Sequence, residues 1–215
     1  MKIEKFWKKF WHLLWVDESW KGWIFAFIIL FIFTKLIFFP VLNLLTGTAM
    51  PLAIVESCSM YHKPIVPFIY NFDDWFSNHE EKYSELGINK NQFESFSLKN
   101  GFSKGDILFA VKAKPETLKI GDIIMFQTTK ENPLIHRIIK IKKSGDEYIF
   151  TTIGDNNPYS FNATNNPYWI DEININENQL VGKAVFRIAP YLGWGKLIFF
   201  EAFRTSQERG LCQET

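Results

Sequence analysis

Ser59 lies in the run Val55-Glu56-Ser57-Cys58-Ser59-Met60, and a serine hydroxyl is a weak nucleophile until a neighbouring base takes its proton. His136, in Ile135-His136-Arg137, is the residue type suited to that task, because a neutral imidazole accepts a proton near neutral pH. Such an imidazole needs a partner on its other nitrogen, usually a carboxylate, and Gly154-Asp155-Asn156-Asn157 offers Asp155. Charge developing on an attacked carbonyl oxygen needs donors, which the backbone N–H of Ser59 and the hydroxyl of Ser57 can supply. The chemistry open to this set is acyl transfer, peptide hydrolysis in particular. It requires Ser59 Oγ within about 2.6–3.2 Å of the imidazole. The chain has four histidines, so spacing alone leaves several trios open. His62 is the rival base nearest to Ser59 in sequence, while His62 and His79 otherwise read as surface residues, and Cys58 as a small packed residue.

The elements that must position these groups begin with a membrane segment. Trp23 to Leu45 is apolar apart from Thr34, Lys35, Pro40 and Asn43, and its 23 residues span roughly 34 Å as a helix at ~1.5 Å per residue. Lys35 costs ~2.5–3.5 kcal/mol at mid-membrane. The 17 Leu, Ile, Val and Phe residues at about −0.3 to −0.6 kcal/mol each outweigh it. The run is longer than the apolar core of a signal peptide, and Thr48-Ala49-Met50 is a poor cleavage site, so an uncleaved anchor is expected. Ahead of it, Phe6, Trp7, Phe10, Trp11, Leu14 and Trp15 recur at helical spacing among lysines, the pattern of a helix lying on a membrane surface. That basic flank predicts a cytoplasmic N-terminus, a single pass, and an extracytoplasmic domain after about Thr46.

From Ala53 onward the pattern is mainly β: short runs bounded by Gly, Asp, Asn and Pro. Strands are expected over 107–111, 123–127, 134–142, 147–153 and 180–188. Gly105-Asp106 and Gly121-Asp122 open two of them as turns, and Lys143-Ser144-Gly145-Asp146 forms a hairpin. Residues 62–103, rich in Asn, Ser, Glu, Lys and Phe, read as an insertion sitting on the sheet, with a short helix near 74–86. The expected organisation is a basic segment 1–20, an anchor 21–46, a catalytic domain 47–196 and a tail 197–215. A net charge of +1 excludes a basic field for nucleic acid. No metal or cofactor motif is present, and Cys58 and Cys212 are too far apart in context to read as a disulfide framework.

Ser57-Cys58-Ser59-Met60 resembles the S-x-S-M nucleophile box of type I signal peptidases, membrane-bound serine proteases that release signal peptides. The two Gly-Asp strand openings, Ile135-His136-Arg137-Ile138-Ile139 and Gly154-Asp155-Asn156-Asn157-Pro158 resemble that family's later boxes, in order. A histidine rather than a lysine before the arginine resembles the archaeal and endoplasmic-reticulum branch. The resemblance implies a signal-peptidase-like β-sheet or barrel domain. In it Ser59 would attack the scissile carbonyl, His136 would act as general base and Asp155 would support it, with Ser57 and Ser59 holding the oxyanion. It also implies preproteins bearing signal peptides, the lipid bilayer and a secretion channel as partners, and no cofactor. Two departures stand out. Asn162 replaces a second aspartate often found seven residues after the first, leaving Asp155 alone or with help from Asp171. Tyr61-His62-Lys63-Pro64 and more than forty residues stand where the family runs directly into its first Gly-Asp. A non-catalytic, membrane-tethered β-module that binds a partner through residues 62–103 is the alternative. A Ser/Lys self-cleaving peptidase, with Lys112 or Lys114 as base, is a further one.

Overall fold

A computed structural model describes residues 2–66, 69–164, 169–205 and 209–214, and the chain divides into two compact units, Met1–Leu45 and Thr46–Thr215.

In the first unit, α1 (Lys2–Trp15) is amphipathic, with Phe6, Trp7, Trp11 and Trp15 exposed and Phe10 meeting Phe25 of α2 (Trp20–Phe33) edge to face. Between the two helices Asp17 Oδ1 accepts the Ser19 N–H at 2.8 Å, and Ser19 Oγ caps α2 by accepting the Gly22 N–H at 3.3 Å. The helix continues through a π-helical turn, Thr34–Phe38, into α3 (Phe39–Thr46). Pro40 accounts for the widened turn: it has no N–H to donate, and its ring clashes with the carbonyl four residues back. Phe39 N–H reaches back to the Thr34 carbonyl instead. The run Trp20–Thr46 is 27 residues and holds an 18-residue window with a mean hydropathy of 2.6, long and apolar enough to cross a membrane.

The second unit is built on one seven-stranded, wholly antiparallel sheet. Its strands are β1 (Leu52–Ile54), β2 (Ile107–Val111), β3 (Ile123–Phe126), β4 (Leu134–Ser144), β5 (Glu147–Ile153), β6 (Ile175–Asn176) and β7 (Leu180–Ala189), in the order β1-β2-β7-β3-β4-β5-β6. β3 is central and buried along its whole length, which is why Ile123-Ile124-Met125-Phe126 reads as a continuous apolar run rather than an alternating one. β4 and β5 form the expected hairpin, Ser144 opposite Glu147, with a register shift between Ile138 and Lys140 just past the site. Gly121 takes φ 93°, and a Cβ there would meet the Phe96 ring at 2.1 Å, so only glycine fits that strand opening. Asp122 closes the turn by accepting the Lys119 N–H at 2.9 Å.

The insertion carries α4 (Phe72–Glu85) and α5 (Lys90–Glu94) outside the sheet. Each starts on an asparagine cap, Asn71 for α4 and Asn89 for α5, the latter in a reciprocal capping box with Gln92. Trp75, Phe76, Tyr83, Ile88 and Phe93 bury themselves against Ile139 and Ile153 of the sheet. The insertion therefore has a core of its own, continuous with the domain. Among the described residues, the 197–215 segment is no loose tail: Cys212 forms a disulfide with Cys58, 154 residues away, and Lys104 pairs with Glu201 at 2.6 Å. The two cysteines look unrelated in sequence because only the returning chain brings them together.

Phe93 meets the rings of His62, Phe72, Trp75, Phe76, Tyr83 and Phe96 and is fully buried. Phe93→Ala is expected to cost about 3–5 kcal/mol, read from urea unfolding of the full chain in detergent.

Candidate active site

Ser59 follows β1 in a tight turn, with the Tyr61 N–H bonded to the Cys58 carbonyl at 3.1 Å. The loop is held from the other side by the 154–157 turn, where the Asn156 N–H donates to the Ser59 carbonyl at 2.8 Å. A Cβ on Gly154 would stand 2.7 Å from that same carbonyl, so glycine is what permits this approach. His136 sits on β4 opposite Ile124 of β3, and its Nε2 lies 2.8 Å from Ser59 Oγ. Its Nδ1 is bonded to Glu172 Oε1. Glu172 is fully buried; its Oε2 accepts the Phe161 N–H at 2.8 Å, and its own N–H donates to the Phe161 carbonyl at 2.8 Å. With Nδ1–H donated to the carboxylate, Nε2 is free to accept the serine proton. Ser57 Oγ stands 3.2 Å from Ser59 Oγ, beside the nucleophile. The dyad opens into a groove of about 1410 Å³ bordered by β1 and by the 131–136 stretch leading into β4.

Several curated proteins match this chain. The signal peptidase complex catalytic subunit SEC11C of Homo sapiens is 34% identical over 65 residues, which are 29% of this chain and 34% of that protein. SEC11 of Scheffersomyces stipitis is 36% identical over 64 residues, 29% of this chain and 38% of that protein. SEC11 of Candida albicans is 27% identical over 111 residues, 50% of this chain and 63% of that protein. These relatives are signal peptidase catalytic subunits. The chain spans about a third of the first two relatives and less than two thirds of the third. No family model matches it.

Against the S-x-S-M and histidine boxes of signal peptidases, the structure brings Ser59, Ser57 and His136 together but does not bring Asp155 to His136. Asp155 lies on the far side of β4, because His136 and Arg137 are consecutive strand residues and point to opposite faces. Both Asp155 oxygens are spent there: Arg137 grips them at 2.9 and 2.6 Å, His62 Nε2 lies at 2.9 Å and the Tyr83 hydroxyl donates at 3.0 Å. Asn162 and Asp171 are occupied locally. Asn162 Oδ1 accepts the Thr164 N–H and hydroxyl, and Asp171 binds the N–H groups of Ile173 and Asn174. Glu172, beside Asp171, is the carboxylate that sequence reasoning missed. The acidic pair was visible, but only packing decides which of two neighbours turns inward. His62 is buried rather than exposed and stacks on Trp75 at 3.5 Å, with His79 stacked on the same indole at 4.3 Å. His62 is therefore no base for Ser59. Lys112, with its side chain against Gly47, does not line the groove, and neither does Lys114.

Every donor of the buried Arg137 is used. Beyond Asp155, its terminal nitrogens reach the carbonyls of Ser97, Gly121 and Leu98 at 2.9–3.1 Å. Burial works to raise the Asp155 carboxyl, but Arg137 and His62 more than offset it and hold it well below the usual carboxylate range. Lys82 binds the Asp155 and Asn157 carbonyls at 2.7 and 2.9 Å, and burial lowers its ammonium to about 8 against the pull of Asp155.

Burial also lowers His62 from 6.5 to about 4, despite the hydrogen bond to Asp155. The unfolded chain therefore binds a proton at His62 that the folded one refuses, between those two pH values. The His62 contribution to stability should be full above pH 6.5 and fall toward pH 4 by on the order of 3 kcal/mol. Urea unfolding across that window should show the slope, and His62→Gln should flatten it.

Proposed function

We propose that the chain is a membrane-anchored serine endopeptidase that removes signal peptides, a signal peptidase I in which Ser59, His136 and Glu172 act in series. The observation that carries this reading is the unbroken relay from Ser59 Oγ through His136 to the buried Glu172, opening into the groove. His136 Nε2 takes the Ser59 proton as Oγ attacks the scissile carbonyl, and Glu172 stabilises the imidazolium that forms. The Ser59 N–H and the Ser57 hydroxyl receive the developing oxyanion. His136 then passes its proton to the leaving amine, and a water deprotonated by the same nitrogen releases the acyl group from Ser59. Asp155 serves the scaffold, not the proton relay.

The substrate is an extended polypeptide. β1 ends the strand order, so one of its edges can accept an added strand, while Met125 and Ile135 offer an apolar floor. The Cys58–Cys212 disulfide suits an oxidising, extracytoplasmic side, consistent with the basic N-terminal flank remaining cytoplasmic. Exposed Ile198, Phe199, Phe200 and Phe203 form an apolar patch fitted to a lipid surface. Partners are then preproteins, the bilayer and a secretion channel that delivers the substrate.

Cleavage of a preprotein by the full chain in detergent tests the reading. Ser59→Ala and His136→Ala should each lower kcat by about 10⁴-fold or more, and Glu172→Gln by roughly 10³–10⁴-fold with the fold intact. Asp155→Asn should instead lower stability by about 3–5 kcal/mol, because it leaves Arg137 buried without its counter-ion. No cleavage by the parent chain, with partner binding through residues 62–103 unchanged in Ser59→Ala, would establish the non-catalytic module instead, and unchanged cleavage with Ser59→Ala would remove Ser59 as the nucleophile.

A further inference from the structure

The Cys58–Cys212 bond places the returning chain against the residue that precedes the nucleophile. Asn156 reinforces the junction: its Nδ2 donates both to the Cys58 carbonyl at 3.2 Å and to the Gln213 carbonyl at 3.0 Å. The stretch before it is tied down as well. Lys104 Nζ donates to the Gly210 carbonyl at 3.3 Å, the Gly210 N–H donates to Glu201 at 2.9 Å, and Arg209 donates to the Ala202 carbonyl at 2.8 Å. Leu211 and Gln213 consequently line the same groove as Ser59, His136 and Cys58. Leu211 is 72% exposed, although the backbone on either side of it is anchored. An apolar side chain held out over a groove by a cross-link has a use if a ligand covers it.

We propose that residues 209–213 form a disulfide-pinned wall of the substrate groove, and that Leu211 is a specificity-determining residue selecting an apolar side chain of the bound polypeptide. The proposal deepens the peptidase reading and rests on it for the identity of the ligand. Its retaining device is chemical. A dithiol such as dithiothreitol would reduce the bond, ending as its own cyclic disulfide while Cys58 and Cys212 become thiols, and would free the wall while leaving the Ser59 and His136 side chains chemically unmodified.

Binding can be separated from catalysis by working in Ser59→Ala full chain in detergent micelles. Fluorescence anisotropy would follow labelled polypeptides derived from a signal-peptide junction, each with leucine or serine at one scanned position. Leu211→Asp should weaken binding of the leucine probe at one position by about tenfold or more, leave the serine probe within about twofold, and spare Leu211→Met. Cys212→Ser should weaken the same probe, and dithiothreitol should reproduce that loss in the parent protein but add nothing in Cys212→Ser. In the catalytically intact chain the effect of Leu211→Asp, which leaves the disulfide in place, should appear in KM, with kcat within about threefold. Leu211→Asp binding every probe as tightly as its parent would overturn the proposal, as would a loss confined to kcat. Should Cys212→Ser fail to fold, Leu211→Asp, which leaves the disulfide in place, decides alone. If no preprotein is cleaved yet Leu211-dependent binding persists, the peptidase reading falls and the wall stands. If cleavage proceeds with Leu211 indifferent, the wall falls by itself.

Discussion

The Arg137–Asp155 ion pair lies fully enclosed, and each of its polar atoms has to be matched inside the protein because water is shut out. That requirement organises the domain. Satisfying Arg137 draws in carbonyls from 97–98 of the insertion and from the turn before β3, and satisfying Asp155 draws in His62 and Tyr83 from the insertion. Lys82 then takes the carbonyls of the turn that carries Asp155. Three separate parts of the chain, at His62, Tyr83 and Arg137, are bonded to one carboxylate. Such a pair adds little net stability over an apolar substitute, but breaking it leaves an uncompensated buried charge, so it enforces a single arrangement. The arrangement includes the Asn156 N–H that holds the Ser59 carbonyl, so the position of the nucleophile depends on a charge pair it does not touch.

Strand geometry separates two carboxylates into two roles. Adjacent residues of β4 face opposite sides of the sheet, so His136 and Arg137 each require a partner of their own. Glu172 meets His136 from a loop paired with Phe161 and Thr152, with no arginine among its ion-pair partners in the described residues. Asp155 neutralises a permanent charge and has no capacity left over. The environment, and not the residue type, leaves one facing an imidazole and the other a permanent charge.

The insertion and the returning chain show the same economy from different directions. The insertion buries a cluster of aromatic rings against Ile139 and Ile153, and the face it presents to the sheet carries the groups that close the network around Asp155. The returning chain is linked by its disulfide to the residue before Ser59, so the nucleophile loop is restrained from both sides. On the proposed peptidase reading, a serine between two such restraints loses little freedom when substrate arrives, which is how pre-organisation lowers the cost of reaching a reactive geometry.

Several features were already legible in the sequence, because each is determined by local chemistry. The apolar run with its basic, aromatic flank, the alternation of β4 and β5, the Gly-Asp strand openings and the serine and histidine boxes depend on neighbours a few residues apart. The choice of Glu172 over Asp155, Asn162 or Asp171, the burial of His62 and the pairing of Cys58 with Cys212 were decided only by the tertiary structure. Each of these turns on which of several equivalent groups is brought near by chain segments distant in sequence. A carboxylate's role depends on the charge facing it and the water removed from it, and neither quantity is carried by the order of the residues around it.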